Sequence, residues 1–277
     1  MRSLDIFRLY DIVLCDIDGV LHTGREGVAG VPELLAELGP TGPTFVFLTN
    51  NGSSLPEQIV AWLAQMGLEI PVGSLVTAGQ VLVDAFQDHG LVGAPVLNIG
   101  NEPAAEYIRR AGGVPIPATE ARQRGDEARA IVVGSTRNLD KEVLDAACNA
   151  IRLHGTPVLC TNPDVFSPTS RGRITLVAGG IANLLERELG AEVIRLGKPH
   201  KPIFELAMRR VRESFQGENP RVLVVDDNLE SGIRGGAMMG FDTLLVLSGW
   251  HRTPEEAEAV MEKLAVRPTY MLPSIVG

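Results

Sequence analysis

Residues 12–19 read Ile-Val-Leu-Cys-Asp-Ile-Asp-Gly, inside the longer stretch LCDIDGVLHTG at 14–24. An apolar run of strand character stops at two acids, Asp16 and Asp18, with only Ile17 between them. In a strand, residues two apart point to the same face, so these carboxylates would crowd each other. Like charges held that close cost free energy unless a cation or a chemical task keeps them there. Asp before Gly is also ordinary turn chemistry, so the pair alone does not separate the two readings.

The rest of the chain repeats the pattern. Apolar runs recur as TFVFLTNN, APVLNIGN, ARAIVVGS, TPVLCTNPD, EVIRLGKP, RVLVVDDN and DTLLVLSG. They are rich in Val, Ile and Leu without clean alternation, the pattern of strands buried on both faces of a parallel sheet. Helical stretches lie between them. In SLPEQIVAWLAQMGL, Ser54 and Glu57 form a capping-box pattern, Pro56 sits in the first turn, and Ile59, Trp62, Leu63 and Met66 make one apolar stripe that ends at Gly67. KPIFELAMRRVRESF places Ile203, Leu206, Ala207 and Val211 on one face. Strand–helix alternation predicts an α/β fold with helices on both sides of the sheet.

Several strands end in groups suited to chemistry: Asp16-Ile17-Asp18-Gly19, Thr49-Asn50-Asn51-Gly52, Gly197-Lys198-Pro199 and Asp226-Asp227-Asn228. The run from Glu192 to Gly197 is expected to deliver Lys198 to the same sheet edge. Ligands of open α/β sheets bind beyond the carboxyl ends of the strands, at the topological switch point. From about Val81 to about Gly190 the strand ends carry less charge, and residues 120–130 read as a polar loop. This middle stretch is expected to be an inserted α/β domain, 81–190, between core segments 1–80 and 191–277.

Composition narrows the classes. The chain has 277 residues, 45% of them hydrophobic, enough for two domains or one large one. The formal net charge is −9 with no Lys/Arg-rich run, which argues against nucleic acid or an anionic membrane surface as partner while allowing a small anionic substrate. Three scattered cysteines without a CxxC pair read as reduced thiols rather than a zinc site. No apolar h-region opens the chain and no apolar run nears the roughly 20 residues of a membrane span, so the expected location is cytoplasmic. His22 and His200 lack metal-ligand spacing and read as polar rim residues. Oligomeric state is open, with a homodimer allowed.

For the chemistry, an ionised carboxylate can attack phosphorus. A second carboxylate nearby can serve as general acid and then general base, and Mg²⁺ would offset the repulsion through oxygen ligands. A Thr hydroxyl and backbone N–H groups at a strand end suit phosphate oxygens, although Thr49 to Gly52 also fits a plain turn. A second apolar strand ending in paired acids, Val222 to Asp227, strengthens the functional reading.

The order Asp-x-Asp, Thr-Asn, Lys, Asp-Asp resembles the haloacid dehalogenase superfamily of phosphatases. DIDGVL resembles its first motif, TNN the second, GKP the third and VVDDN the fourth; TNPD at 161–164, GKPHKPIFELA at 197–207 and FDTLLVLSG resemble its NagD-like, p-nitrophenylphosphatase branch. The resemblance implies a Rossmann-like core with an α/β cap inserted between the second and third motifs. It implies Asp16 as nucleophile, Asp18 as acid/base and Lys198 steadying the charge on Asp16 and phosphate. Thr49, Asn50 and Asn51 would bind phosphate, and Asp164 of the cap would meet the leaving group. Arg171 and Arg173 stand where the branch has a Gly-rich turn, either to bind an anionic leaving group of the substrate or as solvated charges. Mg²⁺ would be held by the Asp16 carboxylate, the Asp18 carbonyl and the fourth-motif acids, with Asp227 as the principal ligand and Asp226 orienting a metal-bound water or Lys198. Two departures stand out: Asp226 takes the place of the family's Gly, and Gly232 that of its further Asp.

The leading expectation is a Mg²⁺-dependent phosphomonoester hydrolase acting through an aspartyl-phosphate on a small phosphorylated metabolite: a sugar phosphate, a glycerol phosphate or a nucleotide. The alternative is a catalytically weak or inactive relative that binds phospho-ligands as a regulatory module. A dehalogenase would leave Asp18 idle, a phosphotransferase would use the same motifs, and a receiver-like module would leave the insertion unexplained.

Overall fold

The computed structural model of the chain describes residues 2–39, 41–137, 139–168, 173–212, 215 and 217–277. It divides into two units. Met1–Thr49, Pro56–Val76 and Lys198–Gly277 form the first, and Asn50–Leu55 with Thr77–Gly197 form the second, so the second lies within the sequence of the first.

The first unit is built on a six-stranded sheet in the order Tyr270–Leu272, Asp242–Val246, Val222–Asp226, Ile12–Asp16, Thr44–Thr49, Leu75–Thr77. The strand Ile12–Asp16 pairs in parallel with Val222–Asp226 on one side and Thr44–Thr49 on the other. All five of its residues are buried, which is why its sequence carries no polar face. Successive strands step one way from Ile12–Asp16 to Thr44–Thr49 and the other way from Val222–Asp226 to Asp242–Val246, so the switch point lies between the two central strands. Register pairs Cys15 with Val225, which sets Asp16 beside Asp226 at their carboxyl ends.

The core beneath this edge packs Val13, Cys15 and Ile17 with Phe47, Leu63, Leu223 and Val225. Cys15 thus belongs to the core, where burial pushes its thiol well above the usual range. The helix Pro56–Ala64 buries Pro56, Ile59 and Leu63. Trp62 and Met66 are only half-buried, so the apolar stripe is narrower than its spacing predicts. The helix Lys201–Arg212 buries Ile203, Leu206, Ala207 and Val211 as expected, and Phe204 as well.

The second unit has its own parallel sheet, ordered Val193–Arg195, Val158–Cys160, Ala130–Val133, Pro95–Ile99, Val114–Ile116. Its core includes Leu97, Ile131, Val133, Ala147, Val158 and Leu185. All eight apolar runs picked out from the sequence are strands. Two expectations need correction. Residues 191–197 carry Val193–Arg195, which pairs with Val158–Cys160 rather than joining the first unit's sheet. An apolar run reads alike in either sheet; only its pairing partner allocates it. Residues 120–130 are not a loop: Ala121–Arg124 and Gly125–Glu127 are short helical turns, with Arg124 bound to Glu120 at 2.7 Å and Glu127 at 3.1 Å. Among the described residues no helix is long and apolar enough to cross a membrane, and the three cysteines are free thiols.

Leu63 is fully buried in the first core. Leu63→Ala should lower unfolding free energy by about 2–5 kcal/mol through lost transfer energy and the cavity left behind, whereas Gln65→Ala, at an exposed position, should change it by no more than about 0.5 kcal/mol. Urea unfolding of both variants measures the difference.

Candidate active site

The carboxyl edge of the first sheet gathers Asp16, Asp226 and Asp227, whose oxygens approach within 4.8 Å of one another. Each follows from local backbone. Asp16 and Asp226 are the last residues of neighbouring parallel strands and share a face through their register. Continued strand geometry would turn Asp227 away, but the chain bends there, and the turn Leu229–Ile233 follows at once. Both acids of the pair therefore reach the cluster.

Lys198 supplies the counter-charge. Its Nζ lies 2.7 Å from Asp16 Oδ1 and 2.7 Å from Asp226 Oδ2, and the residue is 2% exposed. Burial alone would lower the lysine's pKa, but the flanking Asp16 and Asp226 charges outweigh it and raise it, so the ammonium stays charged. Burial pushes the Asp16 carboxyl well above the usual carboxylate range; Lys198 opposes that, while Asp226 and Asp227 add to it. Asp227 is pushed up to about 7 by burial and then by Asp226, against the Trp250 N–H and Lys198. Three buried carboxyl groups thus face one ammonium, and each charge among them raises the cost of ionising the next.

Asp227 sits in a seat that sequence reasoning missed. A Cβ built on Gly19 would fall 2.2 Å from its Oδ2, and one on Gly249 would fall 1.9 Å from it. Gly19 also has φ +83°, a conformation that other residues rarely adopt. The Trp250 backbone N–H donates to the same oxygen at 2.5 Å, and Ser248 Oγ donates to the Gly19 carbonyl at 2.7 Å. The SGW tripeptide after the last long strand was visible, but nothing in its composition ties it to Asp227.

Asp18 does not crowd Asp16. The strand ends at Asp16, and the Asp18 side chain is 63% exposed. It accepts from Thr49 Oγ1 at 3.3 Å and lies 3.3 Å from His22 Nε2. Burial would raise its pKa, but the neighbouring His22, with smaller contributions from Lys198 and Thr49, lowers it instead. His22 is buried, not a rim residue, and packs edge-on against Trp62 with ring centroids 4.6 Å apart. The turn that hydrogen-bonds the Gly19 N–H to the His22 carbonyl at 2.8 Å folds it inward.

Thr49 is buried at the end of its strand. In the second unit, Asn50 Nδ2 donates to Asp164 Oδ2 at 3.2 Å. Asn51 Oδ1 accepts the Ser53 N–H at 3.0 Å, as in an Asx turn. Asp164 is in turn shaped by its N–H to Asn162 Oδ1 at 3.0 Å. Arg171 lies outside the described residues.

The donor chemistry fits a hard divalent cation. All three clustered groups are carboxylates, the oxygen ligands that Mg²⁺ and Ca²⁺ take.

Comparison with known proteins agrees with this chemistry. Residues 13–113 match a family model described as haloacid dehalogenase-like hydrolase, and residues 195–277 a second, HAD-hydrolase-like model. The chain is 30% identical to human (Homo sapiens) chronophin over 90% of this chain and 84% of that protein. It is 29% identical to dihydroxyacetone phosphatase of Corynebacterium glutamicum, over 95% of this chain and 88% of that one. Among solved structures, a glycerol phosphate phosphatase from Mycobacterium tuberculosis in complex with magnesium superposes with a TM-score of 0.81 at 27% identity, over 99% of this chain and 78% of that one.

The elevated Asp227 sets a pH window. A carboxyl whose pKa rises from about 4 unfolded to about 7 folded holds its proton more tightly in the folded state. It contributes stability that is fully present below the unfolded value and lost as pH rises through the folded one. With divalent ions chelated, the protein should therefore lose stability between about pH 4 and about pH 7. Asp227→Asn should show a flatter profile. Urea midpoints across that range, with and without Mg²⁺, are the measurement; equal slopes in both proteins would contradict the assignment.

Proposed function

Because this chain belongs to the haloacid dehalogenase-like hydrolases, we propose that it hydrolyses phosphomonoesters of small metabolites through a phosphoryl group carried on Asp16. The observation that carries this reading is the bridge from Lys198 to Asp16 and Asp226 within the three-carboxylate cluster. It sets a buried carboxyl group against an ammonium at the open end of a parallel sheet, where a ligand site is expected.

In the first step a carboxylate oxygen of Asp16 bonds to phosphorus, the bond to the leaving oxygen breaks, and Asp18 gives that oxygen its proton. In the second, Asp18 takes a proton from water, whose oxygen bonds to phosphorus, and the Asp16–phosphorus bond breaks to release inorganic phosphate. Lys198 holds Asp16 in place and faces the negative charge of the transferring group. The Thr49 hydroxyl, and next to it in the chain the Asn50 amide, are the donors assigned to phosphate oxygens. The arrival of that anion opposes the lowering of Asp18 by His22 and favours its acid form. Asp16, Asp227 and the Asp18 carbonyl are the groups assigned to Mg²⁺, with Asp226 engaged by Lys198. Bound Mg²⁺ would neutralise charge on the acids and on the phosphate as a Lewis acid.

The names of the relatives, a dihydroxyacetone phosphatase and a glycerol phosphate phosphatase among them, support a small phosphorylated metabolite as substrate. We assign substrate choice to the second unit, through Asp164 and the segment around Arg171. Asn50, which follows Thr49 directly, donates to Asp164, so the phosphate-binding turn and Asp164 share a hydrogen bond.

Phosphate release from an aryl phosphate in the presence of Mg²⁺ tests the reading. Asp16→Asn should abolish it, since an amide does not attack phosphorus, and near-wild-type turnover in that variant rules out the covalent route. Asp18→Asn should slow esters with poor leaving groups more than aryl esters. Wild-type protein that binds phosphate without turning over any ester would favour the ligand-sensing alternative.

Asp164→Ala should change relative kcat/KM among triose, glycerol and sugar phosphates while leaving the aryl phosphate mostly intact. A uniform loss across all four would instead assign Asp164 to the chemistry or to folding.

A further inference from the structure

The run APVLNIGN forms the strand Pro95–Ile99, and the chemistry of the first unit makes no use of its polar residues. From this strand the chain passes to Val114–Ile116 on one side and then to Ala130–Val133 on the other. The second unit's parallel sheet therefore has a switch point of its own, the place where open α/β sheets take ligands. A cleft of about 600 Å³ lies there, formed wholly by residues 98–140 of the second unit. Much of its lining comes from the turns that follow these three strands. The volume is within the range of small-molecule sites.

Asn98 lines this cleft one residue before its strand ends. Leu97 and Ile99 on either side face the apolar core, so the Asn98 side chain faces the other way. The residue is 4% exposed. Its Nδ2 donates to the Asn101 carbonyl at 3.3 Å, and among the described residues its Oδ1 has no hydrogen-bond partner. A buried acceptor left unpaired costs free energy, and in a native fold it calls for a reason. Turning the amide over gives no relief, since it would set Oδ1 against the Asn101 carbonyl. Local structure does not demand the asparagine either, because that carbonyl also accepts the Ala105 N–H at 3.1 Å. A Cβ on Gly100 would fall 2.7 Å from the Ala104 Cβ and 2.9 Å from Asn98 Oδ1, so glycine leaves the space beside this oxygen open.

The rest of the lining indicates which donor would satisfy it. Glu102 opens the helix Glu102–Arg110, and Asp140 caps the helix Lys141–His154. Arg109 Nη1 donates to Glu102 Oε1 at 2.8 Å, and Asp140 Oδ1 accepts the Val143 N–H at 2.9 Å. Each carboxylate keeps further lone pairs. Two carboxylates against one guanidinium disfavour an anion, while Pro115, Pro117 and Leu139 offer an apolar wall. We propose that this cleft is a second ligand site, which takes an uncharged ring compound bearing vicinal hydroxyls, a ribonucleoside or a free sugar. One hydroxyl donates to Asn98 Oδ1 and its neighbour to the Glu102 carboxylate, as an acid beyond a parallel strand holds ribose in dinucleotide-binding sheets. The apolar face of the ring lies against the prolines. The site shares no residue with the carboxylate cluster and does not depend on the phosphoryl chemistry assigned there.

The experiment titrates the full chain calorimetrically with adenosine, uridine, ribose and 2′,3′-dideoxyadenosine, and records thermal unfolding midpoints without ligand. At least one of the three hydroxylated probes should bind, and 2′,3′-dideoxyadenosine should bind at least about tenfold more weakly than adenosine, the scale of a lost hydrogen bond to a charged group. Nucleosides tighter than ribose place a base against the prolines; ribose as tight as the nucleosides makes the occupant a free sugar. Asn98→Leu and Glu102→Gln should each weaken the best of these probes by about tenfold. Asn98→Leu should also leave the unliganded midpoint at or above that of the wild type, because it removes the unpaired acceptor. Glu102 is exposed, so Glu102→Gln decides the site without a burden on folding. No binding by any hydroxylated probe, equal binding of adenosine and its dideoxy form, or wild-type affinity in Glu102→Gln overturns the proposal. An unliganded midpoint of Asn98→Leu well below wild type makes Asn98 a structural residue and overturns it equally.

Discussion

One buried ammonium between two buried carboxylates organises this molecule's chemistry. Lys198 reaches Asp16 and Asp226 at 2.7 Å each, and all three residues are almost wholly withdrawn from solvent. Charges removed from water are tolerated only when paired, and removing one partner of such a group costs far more than the pair itself contributes. The backbone around the group follows from that demand. Two parallel strands end side by side to place the acids, a sharp bend brings Asp227 to the same edge, and glycines stand wherever a side chain would displace a carboxylate. The three carboxyl groups so gathered offer the oxygen ligands that a divalent cation takes.

The two acids of the opening motif are separated by environment rather than by distance along the chain. Asp16 is buried against Lys198 and shifted upward, while Asp18 is largely exposed and shifted downward by His22. Neighbouring carboxyl groups given different surroundings can take different roles, one as nucleophile and one as proton carrier. His22 matters here although it touches no other member of the acid cluster. Its ring is wedged between Trp62 and Asp18, so a residue of the apolar helix Pro56–Ala64 helps set the position of the proposed acid/base group.

The fold was legible wherever burial left a continuous apolar run. Every run chosen on that basis is a strand, and the alternation with amphipathic helices such as Lys201–Arg212 gave the α/β class. Three strands of the parallel sheets escaped: Leu75–Thr77, Val114–Ile116 and Tyr270–Leu272. Each has three residues and each lies at the edge of its sheet, where one neighbour suffices and no long apolar run is needed. The site was legible in its acids, threonine and lysine because motifs carry residue identity and order. It was not legible in Gly249, the Trp250 N–H or the inward turn of His22, because backbone donors and empty space leave no mark in composition.

What the sequence determined by itself was the identity and order of the reactive groups, since these depend on which side chains end which strands. Only the tertiary structure decided how the charges are shared. The register between Ile12–Asp16 and Val222–Asp226 decides that Asp226 rather than Asp227 meets Lys198, and the bend after Asp226 decides that Asp227 joins the cluster at all. The physical reason is reach. An ion pair forms or fails over about an ångström or two, and that scale is set by how strands and turns pack, not by how many residues lie between them.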